Sequence, residues 1–393
     1  MRLSAAATCE PARRVLGWPV TTALILVLAA TAVLGSASAQ APAPANAQAF
    51  IQLGNFYYSR GEFAEAEQAF LRALNLEPRN AGALLGLGRS RLRQNKVEAA
   101  INNFNDAISI DASLISAYVA LAQAYQSRGE SDPSAAAESL QQALRVLADA
   151  ARIAPDKAEV HNERALIHQI RGELDLAVAS YQEALRHMPD SPARAIILFN
   201  LGTVYFSQRR WADAVQTFGA AVEQNPSSPS IRGRFGLSLF EHGRALRTGG
   251  NAADGDANVQ RAASELTQAV ALDSRNVQNV GNLGVVLFEL GRFDEAARRL
   301  TQATNLEPVL FPDFYYFLGR SYFAVKRYPD AKAAFTKAVF LTEGAAVYHY
   351  WLAQANEALG EREGACAQYR LALERAGGRY PEAAEALSRL RCN

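Results

Sequence analysis

The sequence predicts an all-α protein, a solenoid of stacked helical hairpins, and three observations predict it. A 34-residue segment recurs along the chain, small and aromatic residues hold fixed places in it, and Gly and Pro fall where helices should turn and stop. Residues 47–80 read AQAFIQLGNFYYSRGEFAEAEQAFLRALNLEPRN, and residues 277–310 read VQNVGNLGVVLFELGRFDEAARRLTQATNLEPVL. One placed under the other, Leu53-Gly54 meets Leu283-Gly284, Gly61 meets Gly291, Ala66 meets Ala296, Ala73 meets Ala303 and Pro78 meets Pro308. In this reading small residues let two antiparallel helices approach, aromatic rings fill the layers between them, Gly61 turns the chain and Pro78 ends the second helix.

From the N-terminus, residues 1–39 form the first element, a secretory signal peptide. Arg2, Arg13 and Arg14 precede an apolar run over residues 15–35, and Ala37-Ser38-Ala39 supplies a small-x-small cleavage pattern after which the signal would be removed. The alternative is an uncleaved anchor in an inner membrane, because the run over 15–35 is long enough to span a bilayer. No second run of that length follows, so no membrane span is expected after cleavage. Residues 40–46 are an Ala/Pro-rich linker.

The array proper is read over 47–379 in nine frames, starting at Ala47, Ala81, Ile115, Ala158, Ala195, Pro229, Val277, Pro312 and Ala346. Ideal frames would fill 306 residues and the array has 333. The surplus of 27 divides as 9 in the third frame, 3 after the fourth, 14 in the sixth and 1 before the eighth. The two larger insertions, near 129–139 and 247–258, are read as a surface loop around Pro133 and a Gly/Asn/Asp linker. Asp254, Asp256, Asn258 and Glu265 resemble part of a calcium loop, but Val259 stands where that loop requires Gly. Residues 380–393 form a capping helix, about Pro381–Arg391, and a tail.

The pattern resembles the tetratricopeptide repeat, whose signature has large residues at positions 4 and 7, a small one at 8 and an aromatic at 11. It continues with Ala at 20, an aromatic at 24, Ala at 27 and Pro at 32. Phe50, Leu53, Gly54, Tyr57, Ala66, Phe70, Ala73 and Pro78 match it throughout the first repeat. The resemblance implies a right-handed α-solenoid of about nine repeats with a C-terminal capping helix, first helices lining a concave groove. It also implies that positions 2, 5, 6, 9, 12 and 13 face that groove. Position 12 holds Phe206, Phe240, Phe288 and Phe323 in four consecutive repeats. Phe199, Tyr316, Tyr350 and Trp351 fall on nearby groove positions, and Asn200 and Asn282 share position 6. Rings supply contact area and amides satisfy a backbone, so these ten residues are the candidate partner-binding groove for a protein or peptide segment. The competing reading is that the Phe stripe packs against adjacent helices. The two-carboxylate clamp of chaperone-binding repeats is not expected, because Asn55, Arg89 and Arg93 come without a groove-facing Lys.

Composition narrows the function classes. With 49% hydrophobic and 20% charged residues the chain is not globally disordered. Lys+Arg 40 against Asp+Glu 39 lacks the basic excess of a nucleic-acid binder, and loss of the signal leaves 37 against 38. Neither a catalytic motif nor a cofactor fingerprint is present, so no catalytic residue, cofactor or metal is expected. His161, Arg164 and His168 break the signature in the fourth repeat. A metal or pH-sensitive site on that face is conceivable, but the reading taken is that Leu166, Ile167 and Ile170 rotate into the core and the His rings pack as aromatics. Cys366 and Cys392 remain after Cys9 leaves with the signal, and their matched heights on antiparallel helices suggest a disulfide.

The expected function is a non-enzymatic protein–protein interaction scaffold of the bacterial periplasm or cell envelope, in assembly or secretion of envelope components by family analogy. The alternative is a glycan- or metal-binding accessory subunit of an envelope enzyme. Oligomeric state is left open.

Overall fold

The computed structural model describes residues 46–189 and 191–392, without the side chain of Pro192. The expected signal over 1–39 and residues 40–45 of the linker lie outside the described residues. Nineteen helices and no strand occur among the described residues. They run as α1 Ala47–Ser59 and α2 Phe63–Leu76, α3 Ala81–Arg93 and α4 Val97–Ile110, α5 Ile115–Ser131 and α6 Ala136–Ile153, α7 Ala158–Ile170 and α8 Leu174–His187. Then follow α9 Pro192–Ser207 and α10 Trp211–Gln224, α11 Pro229–Thr248 and α12 Ala252–Leu272, α13 Val277–Glu289 and α14 Phe293–Leu306. The last are α15 Pro312–Ala324 and α16 Tyr328–Leu341, α17 Ala346–Ala358 and α18 Arg362–Arg375, and the cap α19 Pro381–Arg389. Two compact units divide them, an N-terminal one ending at Gln208 and a C-terminal one beginning at Arg209.

Within each unit every helix packs on its chain neighbours, and first helices of successive repeats also touch, as α1 does α3 and α13 does α15. The core is a ladder of one motif. Ala66, Phe70 and Ala73 have 0% exposure, and so does the corresponding Ala–aromatic/Leu–Ala triplet of every repeat, through Ala143-Leu147-Ala150 and Ala331-Phe335-Ala338 to Ala365-Tyr369-Ala372. Alanine lets the helices close, and each large side chain contributes about 1.5–3 kcal/mol by leaving water. Phe70 shows how tightly. A Cβ added to Gly54 would lie 2.7 Å from its ring and one on Gly86, in the next repeat, 2.3 Å. One ring therefore fills the space vacated by two glycines.

The hairpin turns share one backbone device. Gly61, Gly172, Gly291 and Gly360 have positive φ between 74° and 79°, while Asn95, Arg209 and Lys326 adopt φ of 58–61° at the same repeat position. Helix starts are set partly by Asn caps. Asn46, Asn80 and Asn276 each accept a bond from the backbone N–H three residues on, at 2.9–3.0 Å.

The two insertions are not the loop and linker expected. They lengthen both arms of their hairpins, so α5 and α6 reach 17 and 18 residues and α11 and α12 reach 20 and 21, against 13 and 14 in α1 and α2. In an antiparallel pair an extension is buried only if both arms grow together. Ser139 and Val259, inside or beside the added turns, accordingly have no exposed surface. The Asp254–Glu265 segment is helical, with Asn251 as its cap and Arg247 paired to Asp256, so no calcium loop forms. The fifth repeat's first helix begins at Pro192 rather than Ala195, taking in the three surplus residues.

Cys366 in α18 and Cys392 beyond α19 are joined as a disulfide with Cα atoms 5.7 Å apart. Arg362 donates to the carbonyls of Leu390 and Arg391 alongside it, fixing the tail on the last hairpin.

Candidate functional site

Three first helices of the C-terminal unit, α13, α15 and α17, present a connected row of rings around one cation. Phe288 contacts Phe317 at 5.5 Å between ring centroids, Phe323 contacts Trp351 at 5.4 Å, and Tyr350 continues through Trp351 at 6.0 Å to stack on Tyr380 at 5.0 Å. Phe288, Phe323, Tyr350 and Trp351 are half-buried, so each ring keeps an open edge. The two position-12 rings of this row also lean on the first aromatic of the following helix, Phe288 on Phe293 at 5.4 Å and Phe323 on Tyr328 at 5.2 Å. These contacts hold the rings in place without covering them.

Arg320, at position 9 of the eighth repeat, sits at the centre. Its guanidinium carbon lies 4.7 Å from the Phe288 centroid, 4.6 Å from Trp351 and 5.7 Å from Tyr316, and Nη1 donates to the Tyr316 hydroxyl at 3.2 Å. Each cation–π contact is worth about 0.5–2 kcal/mol, so the side chain is well anchored. Its buried Nε–H nonetheless has no partner among the described residues, and no carboxylate pairs with the guanidinium there. The row ends at Glu357, which takes the ninth repeat's position 12. There the Arg389 guanidinium of the cap and the Tyr369 hydroxyl hold its carboxyl below the usual carboxylate range.

Three of the expected groove residues do not offer a surface. Phe240 is 4% exposed, because α11 runs two turns past it beside α12, and Arg244 lies over its ring at 5.7 Å. Asn282 and Tyr316 are buried at 8%. These three belong to packing, and Tyr316 serves the row by receiving the Arg320 hydrogen bond. Phe199, Asn200 and Phe206 on α9 are half-buried and belong to the N-terminal unit. Arg320 was missed by the sequence reading, which followed rings and amides; its place at a groove-facing position 9 was the signal.

The fourth repeat differs from its expected packing. His161 is 5% exposed and stacks on His187 with ring centroids 5.8 Å apart, whereas His168 turns away to Glu173 at 2.7 Å. Ile167 enters the core, but Ile170 is 42% exposed. Glu163 is buried, receives a hydrogen bond from Gln123 at 3.0 Å, and burial raises its pKa to about 7. Among the described residues one group could hold a metal ion. His161, Glu183 and His187 each offer a ligand atom, and these atoms lie within 4.8 Å of one another.

Stacked two-helix repeats with side chains offered from successive first helices define a helical-repeat binding protein. Tetratricopeptide-repeat family profiles match residues 51–114, 156–226, 247–308 and 316–379, and the chain belongs to that family, whose members bind protein partners. Photosystem I assembly protein Ycf3 of Synechococcus sp. (strain CC9605) is 32% identical over 111 residues, which are 28% of this chain and 64% of that protein. A Ycf3 of Prochlorococcus marinus is 33% identical over 26% of this chain and 60% of its own length. The match thus spans less than two thirds of these relatives. Among solved structures, the tetratricopeptide-repeat protein TTC0263 of Thermus thermophilus is 31% identical, covering 49% of this chain and 98% of that one with a TM-score of 0.43. The pilF protein of Pseudomonas aeruginosa is 21% identical, covering 58% and 92%, with a TM-score of 0.45. Among the described residues no helix is long and apolar enough to cross a membrane.

Proposed function

We propose that this chain is a non-enzymatic scaffold of the bacterial periplasm or cell envelope that holds a partner segment along α13, α15 and α17, in assembly or secretion of envelope components. The observation that carries this is Arg320, a cation anchored by three rings with a buried N–H left unpaired. A partner carboxylate would pair with the half-buried guanidinium, while Phe288, Phe323, Tyr350 and Trp351 supply desolvated contact area around it. The segment favoured is therefore an extended peptide with an acidic residue flanked by apolar ones. The assembly role leans on the Ycf3 relatives, which are named assembly proteins. Export leans on the basic-apolar-small pattern over residues 1–39 and on the Cys366–Cys392 bond, since disulfides persist in oxidising compartments.

Crosslinked capture from the native envelope tests the groove. The Arg320→Ala/Trp351→Ala chain should lose about 30-fold in partner capture, the scale of paired Arg and Trp anchors, with unchanged helix content. Undiminished capture by that folded variant removes α13, α15 and α17 from the interface.

A further inference from the structure

We propose that His161, Glu183 and His187 form a binding site for a divalent transition cation of the zinc class, held between α7 and α8 in the N-terminal unit. The inference is independent of the scaffold reading.

His161 carries it. Its Nε2 lies 2.7 Å from the carbonyl oxygen of Pro155. A carbonyl only accepts, so in the neutral ring Nε2 holds the proton and Nδ1 is left with a bare lone pair. That Nδ1 is buried and has no partner among the described residues, on a side chain that is itself 5% exposed. Buried acceptors are nearly always satisfied, so an orphan needs an occupant. The carbonyl bond is also the arrangement that metal-bound histidines use to fix ring orientation and tautomer.

The remaining ligands arrive from one helix. Glu183 and His187 are four residues apart on α8, so they share a face, and His187 Nε2 lies 3.1 Å from Glu183 Oε1. The His187 ring stacks on His161. One donor atom from each of the three lies within 4.8 Å of the others. A tetrahedral zinc shell needs ligand atoms about 3.3 Å apart, and His187, whose side chain is 32% exposed, has room to make that closure. Two imidazoles and one carboxylate suit zinc, copper or nickel better than calcium or magnesium, which prefer an all-oxygen shell. His187 is also the last residue of α8, where the helix dipole is negative and favours a cation.

Two cations stand nearby. Arg194 is committed to the carbonyls of Leu185 and Met188, at 2.8 and 2.7 Å. Arg186 pairs with Glu183 but is 68% exposed and can release it to solvent. Burial falls from His161 through Glu183 to His187, so the ion would enter from the His187 side. Three protein ligands leave one coordination position for water or for a group from a partner.

The test titrates the chain, stripped of metal, with Zn2+ by calorimetry and with Co2+ by visible absorption. The expected result is one saturable equivalent and a tetrahedral cobalt spectrum. The surface substitutions Glu183→Gln and His187→Ala should each weaken binding by at least about 10- to 100-fold, the loss that follows even from removing an outer partner of a ligand. His161→Ala should abolish it, and His168→Ala should leave it unchanged. Absence of saturable binding, or binding unaltered in Glu183→Gln and His187→Ala, overturns the site; both variants lie outside the core, so their folding does not decide the outcome.

Discussion

The fourth and eighth repeats fold the same hairpin from opposite materials. At positions 4, 7 and 11 the fourth has His161, Arg164 and His168, and the eighth has Tyr315, Leu318 and Tyr322. Both bury a ring at position 24, Tyr181 and Phe335, at 0% exposure. Around Tyr181 lie ionisable groups held by hydrogen bonds, with Gln169 accepting from its hydroxyl at 3.0 Å and Gln123 donating to Glu163. Around Phe335 the neighbours are Tyr316 and Trp351. The difference teaches that the Ala–ring–Ala layer fixes the hairpin, while the positions above it are free to carry chemistry.

The strongest way to break that comparison is to remove the shared ring. Tyr181→Ala and Phe335→Ala should each destabilise their hairpins by about 3–5 kcal/mol, read by native-state hydrogen exchange because repeat arrays open piecewise. A loss at Tyr181 below half that at Phe335 would show that polar neighbours carry the fourth repeat instead.

A smaller effect separates the two repeats by pH. The Glu163 pKa of about 7 lies above the ordinary 4.5, so the fold favours the protonated acid. Its contribution is whole below pH 4.5, declines as pH rises and is gone above about 7, a loss of roughly 3 kcal/mol centred on α7 and the α5 face it packs against. Glu163→Gln should flatten this dependence, as seen in exchange rates at pH 5 and pH 8. An unchanged pH profile in the variant would show that the acid is ionised in the fold.

The smallest effect lies in the turns. Gly172 and Lys326 occupy the same left-handed position, with φ of 74° and 61°. Lys326→Gly should stabilise the eighth hairpin by about 0.5–1 kcal/mol and Gly172→Ala should destabilise the fourth by about 1 kcal/mol. Thermal melts showing opposite signs would confirm that the turn geometry is common to both.

Much of this architecture is legible in the chain. The Ala, Gly and aromatic spacing places the helix pairs because one packing solution repeats, and eight of nine frame starts coincide with a helix start. The exceptions share a cause. Ser191-Pro192 is itself a helix-start signal, and it drew α9 back three residues from Ala195. The insertions carried Pro133 and Gly249-Gly250, which mark only the short turns; the Ala, Leu, Gln and Glu around them are helix formers that found a partner arm. At the aromatic row the spacing put Phe288, Phe323, Tyr350 and Trp351 on successive first helices, where their rings stand half-buried. It could not show that Phe240 would be covered, since that depends on how far α11 continues. Nor did it find the Glu183–His187 pair, because His161 was matched along its own helix to His168 rather than across the hairpin.

The covalent closure at Cys366–Cys392 has a consequence for the order in which the array comes apart. Terminal elements of a repeat protein have neighbours on one side only, so disassembly starts there and travels inward. With α19 tied to α18 the carboxyl end cannot peel helix by helix; the last hairpin and its cap must leave together. Among the described residues no such crosslink ties α1 to α2, where an Asn46 cap starts the first hairpin, so the last hairpin is the one whose opening is made all-or-none.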